Sequence, residues 1–180
     1  MKKDLQQTVE IPEGVEVNIE GNSIHVKGKE GEINRSFDLG RLNFQKKDNK
    51  ITIGYKQSTK REKKMMNTIT RHVENMIKGV QKKFEYKLKV CFSHFPMNVQ
   101  AEGNKITIKN FLGEKVPREM NLPEGVDVKI EKADITITSV DKELAGQAAA
   151  NFETVTKIRG RDKRVFQDGI FITNKAGKEM

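Results

Sequence analysis

A stretch of thirteen residues that occurs twice decides the fold of this chain. The first copy reads EGNSIHVKGKEGE over residues 20–32, and the second reads EGNKITIKNFLGE over residues 102–114. Seven of the 13 positions are identical, where average residue usage gives about one by chance. The similarity continues further along the chain, because Ile51-Thr52-Ile53 matches Ile135-Thr136-Ile137. The sequence is therefore an internal duplication of one structural unit.

Each copy contains several short strands separated by turns. Apolar residues alternate with polar ones from Val15 to Ile19, the pattern of a half-buried strand, and Gly21-Asn22 supplies a turn that tolerates positive φ. In the first copy the pattern predicts strands over residues 15–19, 24–26, 33–39, 42–46 and 50–55. In the second copy it predicts strands near residues 97–101, 105–110, 114–120, 126–131 and 134–138.

A helix follows the strands of each copy. Thr59 and Glu62 have the spacing of a capping box at the start of the first helix, and Gly79 is the expected C-terminal cap. The second helix is expected to begin near Ser139 or Asp141, and small alanines on its apolar face allow close packing on a sheet. The predicted fold class is α+β, with two similar units that each pack one helix on a face of an antiparallel sheet.

The duplication also predicts the domain boundaries. The first α+β domain is expected over residues 1–83 and the second over residues 84–173, with a basic tail at residues 174–180. The alternating strand at residues 84–92 is left open between the two sheets, because it directly follows the first helix. An Asp168-Gly169 step between apolar residues predicts a β-hairpin near the end of the chain.

The composition excludes several classes of protein. The chain has 34 Lys and Arg against 25 Asp and Glu, for a net charge of +9, and its mean hydropathy is −0.68. It contains no apolar run of the ~18 residues that a membrane helix needs. The single cysteine, Cys91, cannot form an internal disulfide, which is typical of a reducing cytoplasm. The excess positive charge favours a polyanionic partner, most often nucleic acid.

The sequence carries no signal for catalysis. His25, His72 and His94 lack neighbouring side chains at metal-ligand spacing, and Cys91 has no adjacent base that would activate it. The glycines at residues 28–31 are not followed by the Lys-Ser/Thr of a phosphate-binding loop. We therefore predict a protein that is not an enzyme, with no catalytic residue, metal, cofactor or small-molecule substrate.

Basic residues form three clusters, at residues 56–64, 78–89 and 157–180. A solvated charged face explains the first two as well as binding does. The third differs because it places arginines, whose planar forks match phosphate oxygens, on both sides of Gly160. Phe166 beside them either stacks on a base or packs in the core. The candidate RNA-binding residues are Lys157, Arg159, Gly160, Arg161, Lys163, Arg164, Lys175 and Lys178.

Four segments resemble one known family. Residues 151–170, NFETVTKIRGRDKRVFQDGI, are similar to the C-terminal signature of the "L six" family of large-subunit ribosomal proteins in its archaeal and eukaryotic form. Residues 71–80 and 84–87 resemble the first-repeat helix and the strand after it, and residues 11–15 resemble the initial strand. The similarity spans roughly residues 8–173. The distinctive segment of the bacterial form is absent, so an archaeal source is expected.

The resemblance implies a structural protein of the large ribosomal subunit, located in the cytoplasm with no membrane contact. It would bind large-subunit rRNA near the sarcin–ricin region, beside neighbouring ribosomal proteins and close to the site where translational GTPases dock. The second repeat would make the main rRNA contacts, through Lys157, Arg159, Arg161, Lys163 and Arg164.

The alternative from another class is a protein-interaction scaffold whose acidic and apolar sheet faces bind proteins. Its positive charge would then serve solubility rather than RNA binding.

Overall fold

The computed structural model of the protein describes residues 3–180, without the side chains of Lys3 and Gln57. Met1 and Lys2, which the first predicted domain includes, lie outside the described residues. The chain divides into two compact units, residues 1–83 and 84–180. Each contains antiparallel sheets and one α-helix, which confirms the predicted α+β class. No helix of the described residues is long and apolar enough to cross a membrane.

Unit 1 consists of two three-stranded sheets and a long helix. Strands β1, β6 and β5 form one antiparallel sheet in that order, and β2, β3 and β4 form the other. The apolar stripe of helix α1 is buried, including Ile69, Val73 and Val80, together with Ile24 and Ile51 from the strands. The elements are β1 (Lys3–Glu10), β2 (Glu16–Glu20), β3 (Ser23–Gly28), β4 (Gly31–Ser36), β5 (Asn43–Lys47), β6 (Lys50–Ser58) and α1 (Lys60–Gln81).

Two expectations for the strands of unit 1 are wrong. Residues 11–15, expected as the initial strand, form the turn between β1 and β2, because Pro12 lacks an N–H group and Gly14 adopts a φ of +81°. The strand expected over residues 33–39 ends at Ser36. The other predicted strands of the unit begin within one residue of their expected positions.

Helix α1 begins as predicted and ends later than predicted. The Thr59 side chain accepts a hydrogen bond from Arg61 N, and Glu62 Oε2 accepts one from Thr59 N at 2.8 Å, so the capping box is confirmed. Gly79 is not the C-terminal cap, because the helix continues to Gln81 and Lys82 supplies the cap in an extended conformation. Gly79 is instead buried within the helix.

The capping box predicts a measurable loss of stability. We expect Thr59→Ala to lower the free energy of unfolding by about 1 kcal/mol, because the first turn of α1 loses its side-chain acceptor. Urea unfolding followed by circular dichroism measures the change. Thr59→Ser retains the hydroxyl and is expected to unfold as the wild type does; equal destabilisation by both substitutions would contradict the capping role.

Unit 2 consists of a five-stranded sheet, a three-stranded sheet and one helix. The larger sheet has the order β11-β12-β7-β13-β14, and the smaller has the order β10-β9-β8. Ala148 and Phe152 of helix α2 are fully buried, together with Leu88 and Ile137 of the larger sheet. The elements are β7 (Phe84–Cys91), β8 (Asn98–Glu102), β9 (Lys105–Lys109), β10 (Arg118–Asn121), β11 (Asp127–Glu131), β12 (Asp134–Ser139), α2 (Lys142–Val155), β13 (Gly169–Lys175) and β14 (Lys178–Glu179).

Strand β7 belongs to the sheet of unit 2. It pairs with β12 on one side and with β13 on the other, so the alternative that it closes the first sheet is wrong. The strand expected over residues 114–120 begins only at Arg118. A short 3₁₀ turn at residues 111–113 precedes it, with Asn110 and Leu112 at positive φ.

Two expectations for the end of the chain are also wrong. Asp168-Gly169 is not a hairpin turn, because Asp168 is buried and β13 begins at Gly169. Residues 174–180 are not a separate tail. Strand β13 extends to Lys175, and Ala176 and Gly177 at positive φ turn the chain back into β14.

Candidate nucleic-acid interface

Six of the eight predicted residues lie on one loop, residues 157–167, which connects α2 to β13 and which we name the arginine loop. Lys157, Arg159, Gly160, Arg161, Lys163 and Arg164 are all exposed there. The structure therefore brings these six together on a single connection at the end of a helix.

Thr156, the C-cap residue of α2, joins the two ends of the arginine loop. The Thr156 hydroxyl is buried, donates to the Phe152 carbonyl at 3.0 Å and accepts from Ile170 N at 3.0 Å. Glu153 Oε1 similarly accepts from Ile172 N at 3.0 Å. Helix α2 is thus fixed to strand β13 across the base of the loop.

Arg118 anchors the loop from the opposite side. Its guanidinium donates to the carbonyls of Val155 at 2.6 Å and Lys157 at 3.2 Å, where the last turn of a helix leaves acceptors without partners. It also donates twice to Glu114, at 2.6 and 2.8 Å, and this hydrogen bonding lowers the pKa of the Glu114 carboxyl. The positive charge also suits the negative end of the helix dipole. Arg118 therefore has a structural role, despite being a cation near the candidate site.

Asp168 fixes the far end of the loop. Its side chain is fully buried, and its carboxylate accepts from Ser93 Oγ at 2.8 Å and from the backbone N–H groups of Ser93 at 3.1 Å and His94 at 3.3 Å. His94 Nδ1 lies 3.0 Å from Oδ1 of the same carboxylate. Burial raises the pKa of Asp168, but the hydrogen bonds from His94 and Ser93 outweigh it and lower the pKa to about 2.

Aromatic contacts hold the middle of the loop. The Phe166 ring stacks on the His94 ring with centroids 4.8 Å apart and planes at 23°. The Arg161 guanidinium carbon lies 4.8 Å from the centroid of the same Phe166 ring. Of the two roles that the sequence left open for Phe166, the structure favours packing, because its ring already has two protein partners.

Some cationic side chains of the loop already have a protein partner, and others do not. Arg164 donates to Asp162 at 2.8 Å, which lowers the pKa of the Asp162 carboxyl. The side chains of Lys157, Arg159 and Lys163 make no hydrogen bond or ion pair with any residue from 3 to 180. These three side chains can therefore bind a phosphate without first losing a protein partner.

Gly160 adopts a φ of +67°, and a Cβ atom built on it would meet no other atom within 4 Å. A glycine suits this position because other residues adopt such a backbone conformation only with strain. Asn is the residue that best tolerates it after glycine.

Lys175 and Lys178 lie away from the arginine loop. They are exposed and opposite each other in the pairing of β13 with β14. Strand β13 extends from the loop to Lys175 over 7 residues, a distance of roughly 20 Å. The structure therefore does not bring these two lysines together with the other six predicted residues.

A groove of about 660 Å³ borders the arginine loop. Its apolar lining comes from Cys91, Ile158, Phe166, Ile170 and Phe171, and its polar lining from Glu153, Thr156, Lys157, Lys163, Gln167 and Asp168. Sequence reasoning missed the groove, and it missed the parts played by His94, Arg118, Asp168 and Phe171. No local pattern indicates a contact between residues 74 positions apart, as His94 and Asp168 are.

A profile of the ribosomal protein L6 family matches residues 11–83 and 95–169, one segment in each structural unit. The chain belongs to this family. It is 40% identical over 176 residues to the large ribosomal subunit protein uL6 of Methanococcus vannielii, covering 98% of this chain and 97% of the relative. It is 41% identical over 175 residues to the protein of the same name from Methanothrix thermoacetophila, covering 97% and 99%. Both relatives are archaeal, which agrees with the archaeal type indicated by the sequence.

The buried carboxylate gives a prediction for the pH dependence of stability. Because the folded-state pKa of Asp168 lies below its ordinary 3.8, its ionised form stabilises the fold above pH 4, and this contribution is lost as the pH falls toward 2. We expect the difference in unfolding free energy between wild type and Asp168→Asn to narrow by about 2 kcal/mol from pH 6 to pH 2. Urea unfolding at a series of pH values measures it, and parallel profiles for the two proteins would contradict the assignment.

Proposed function

We propose that the protein is a structural, non-enzymatic constituent of the large ribosomal subunit in the cytoplasm, and that it binds large-subunit rRNA through the arginine loop. Family membership over almost the whole chain supports the first part, because both relatives are named as large-subunit proteins. The observation that carries the second part is the arginine loop itself, which presents exposed cations on a backbone fixed at both ends.

The rigidity of the loop favours phosphate binding. Ordering a flexible loop on binding costs conformational entropy, and the contacts of Thr156, Arg118 and Asp168 have already ordered this one. Lys157, Arg159 and Lys163 then contribute charge at no cost in protein contacts. Arg164 would exchange the Asp162 carboxylate for a phosphate oxygen, which its planar fork matches equally well. Contacts of this kind position an RNA by its shape and backbone rather than by its sequence.

The location within the subunit is the finer part of the proposal. The family resemblance supports a position near the sarcin–ricin region, with other ribosomal proteins as neighbours and translational GTPases close by. Lys175 and Lys178 would contact a second rRNA segment, since they are paired with each other where the far end of β13 meets β14.

The proposal predicts a localised electrostatic effect. Each lost phosphate contact should reduce the salt slope of RNA binding by roughly 0.7–0.9, so replacing Arg159, Arg161, Lys163 and Arg164 with Gln should reduce it by about 3. The matched control replaces four exposed cations of α1 with Gln: Lys60, Arg61, Lys63 and Lys64. Filter binding to a large-subunit rRNA fragment across a salt series measures both variants.

The two variants lose the same number of charges, so a diffuse field would change both slopes equally and would overturn the assignment to the arginine loop. A sucrose gradient at moderate salt tests the ribosomal role itself. A ribosomal protein sediments with the large subunit, whereas a free interaction scaffold stays at the top.

The backbone of the loop gives a separate prediction. We expect Gly160→Val to weaken incorporation into the large subunit while leaving the helix content of the free protein unchanged, because valine disfavours a φ of +67°. Gly160→Asn is the control, since Asn tolerates this conformation, and it should incorporate better than the valine variant. Sedimentation of tagged protein with the subunit measures both, and normal incorporation of the valine variant would show that the loop conformation is not needed.

A further inference from the structure

We propose that the groove beside the arginine loop binds one unstacked nucleobase of the RNA, with Phe171 as the surface on which the base stacks. This inference rests on the proposed function, because it names the feature of the RNA that the same site recognises. It adds a requirement that phosphate binding alone does not have: a nucleotide that is bulged or single-stranded. A base inside a duplex is already stacked on both sides and cannot enter a groove.

Phe171 is the aromatic side chain available for stacking. It lies on strand β13, is 46% exposed, and lines the groove. A Cβ atom at position 169 would lie 3.0 Å from Phe171 Cζ, so the ring rests closely against the backbone of Gly169. The glycine thus provides the space in which the ring lies, and the ring remains accessible from the groove.

The other aromatic ring of the groove, that of Phe166, forms one side of the groove and is not available for stacking on a base. Phe166 already stacks on His94 and contacts the Arg161 guanidinium, each at 4.8 Å from its ring centroid. The buried Asp168 carboxylate holds His94 in place. Phe166 and Ile158 therefore give the groove fixed apolar sides, while Phe171 remains open to a ligand.

The charges of the groove identify its occupant as a nucleotide rather than an apolar side chain of a protein. Lys157 and Lys163 both line it, and the ammonium group of neither has a protein partner among residues 3–180. A base carries a phosphate on each side, so a nucleotide is complementary to an apolar floor bordered by two free cations. The volume of about 660 Å³ also lies within the usual range of small-ligand sites.

The test compares two RNA hairpins that differ by one nucleotide. One is fully paired, and the other carries a single bulged 2-aminopurine, whose fluorescence is quenched when the base stacks. We expect the wild-type protein to bind the bulged hairpin about fivefold to a hundredfold more tightly and to quench its fluorescence. Phe171→Leu keeps the apolar contact with Gly169 but removes the aromatic ring, and it should lose both effects.

Phe92→Leu is the matched control, because Phe92 is 48% exposed in the same unit and does not line the groove. It should retain the preference for the bulged hairpin. Equal binding of both hairpins by the wild type, or equal losses in the two Phe variants, would overturn the groove proposal while salt-dependent RNA binding still stood. Absence of salt-dependent binding to either hairpin would overturn the proposed function, and the groove proposal with it.

Discussion

The carboxylate of Asp168 accepts hydrogen bonds from Ser93 and His94, and the candidate site depends on this contact. It joins the end of the arginine loop to the segment after β7, across 75 positions of sequence in the case of Ser93. His94 is thereby held where it stacks on Phe166, and Phe166 in turn contacts Arg161. An ionised group without solvent is costly unless its lone pairs are satisfied, and here several donors meet that requirement. The cationic surface is therefore supported by a buried anion.

The two units differ in the neighbours of one pair of corresponding strands. In unit 1, β1 pairs with β6 at the edge of a sheet, and in unit 2 the corresponding strand β7 pairs with β12. Strand β7 has a further neighbour, β13, on its other side, whereas β1 pairs with β6 alone among residues 3–83. Helix α1 leads directly into the next unit, whereas α2 must connect back to this added strand. The arginine loop is that connection, so the distinctive surface of unit 2 accompanies its additional strand.

Local patterns predicted most of the fold, and tertiary contacts account for what they missed. Local residue patterns were enough to predict the duplication, most strand positions and the Thr59 cap, because each depends on residues close together in the sequence. Strand β1 could not, because an edge strand of mostly polar sequence alternates too weakly. Asp168-Gly169 has the sequence of a hairpin turn, but in the folded protein the Asp168 side chain accepts a hydrogen bond from the distant Ser93 instead. For the site, residue types and resemblance predicted the cations of the arginine loop. Their separation into engaged ones, such as Arg164, and free ones, such as Arg159, depends on side-chain placement that no spacing encodes.

The hydrogen bonds that Thr156 and Glu153 accept from β13 also affect the protein while it is free of RNA. An open strand edge is a template on which another chain can add, and this is a common route to aggregation. The N–H groups of Ile170 and Ile172 are already occupied by side chains of the preceding helix and its cap. That stretch of edge therefore offers no donors to a second copy. The two contacts thus remove one place at which a second copy could add a strand, and the net charge of +9 adds repulsion between copies.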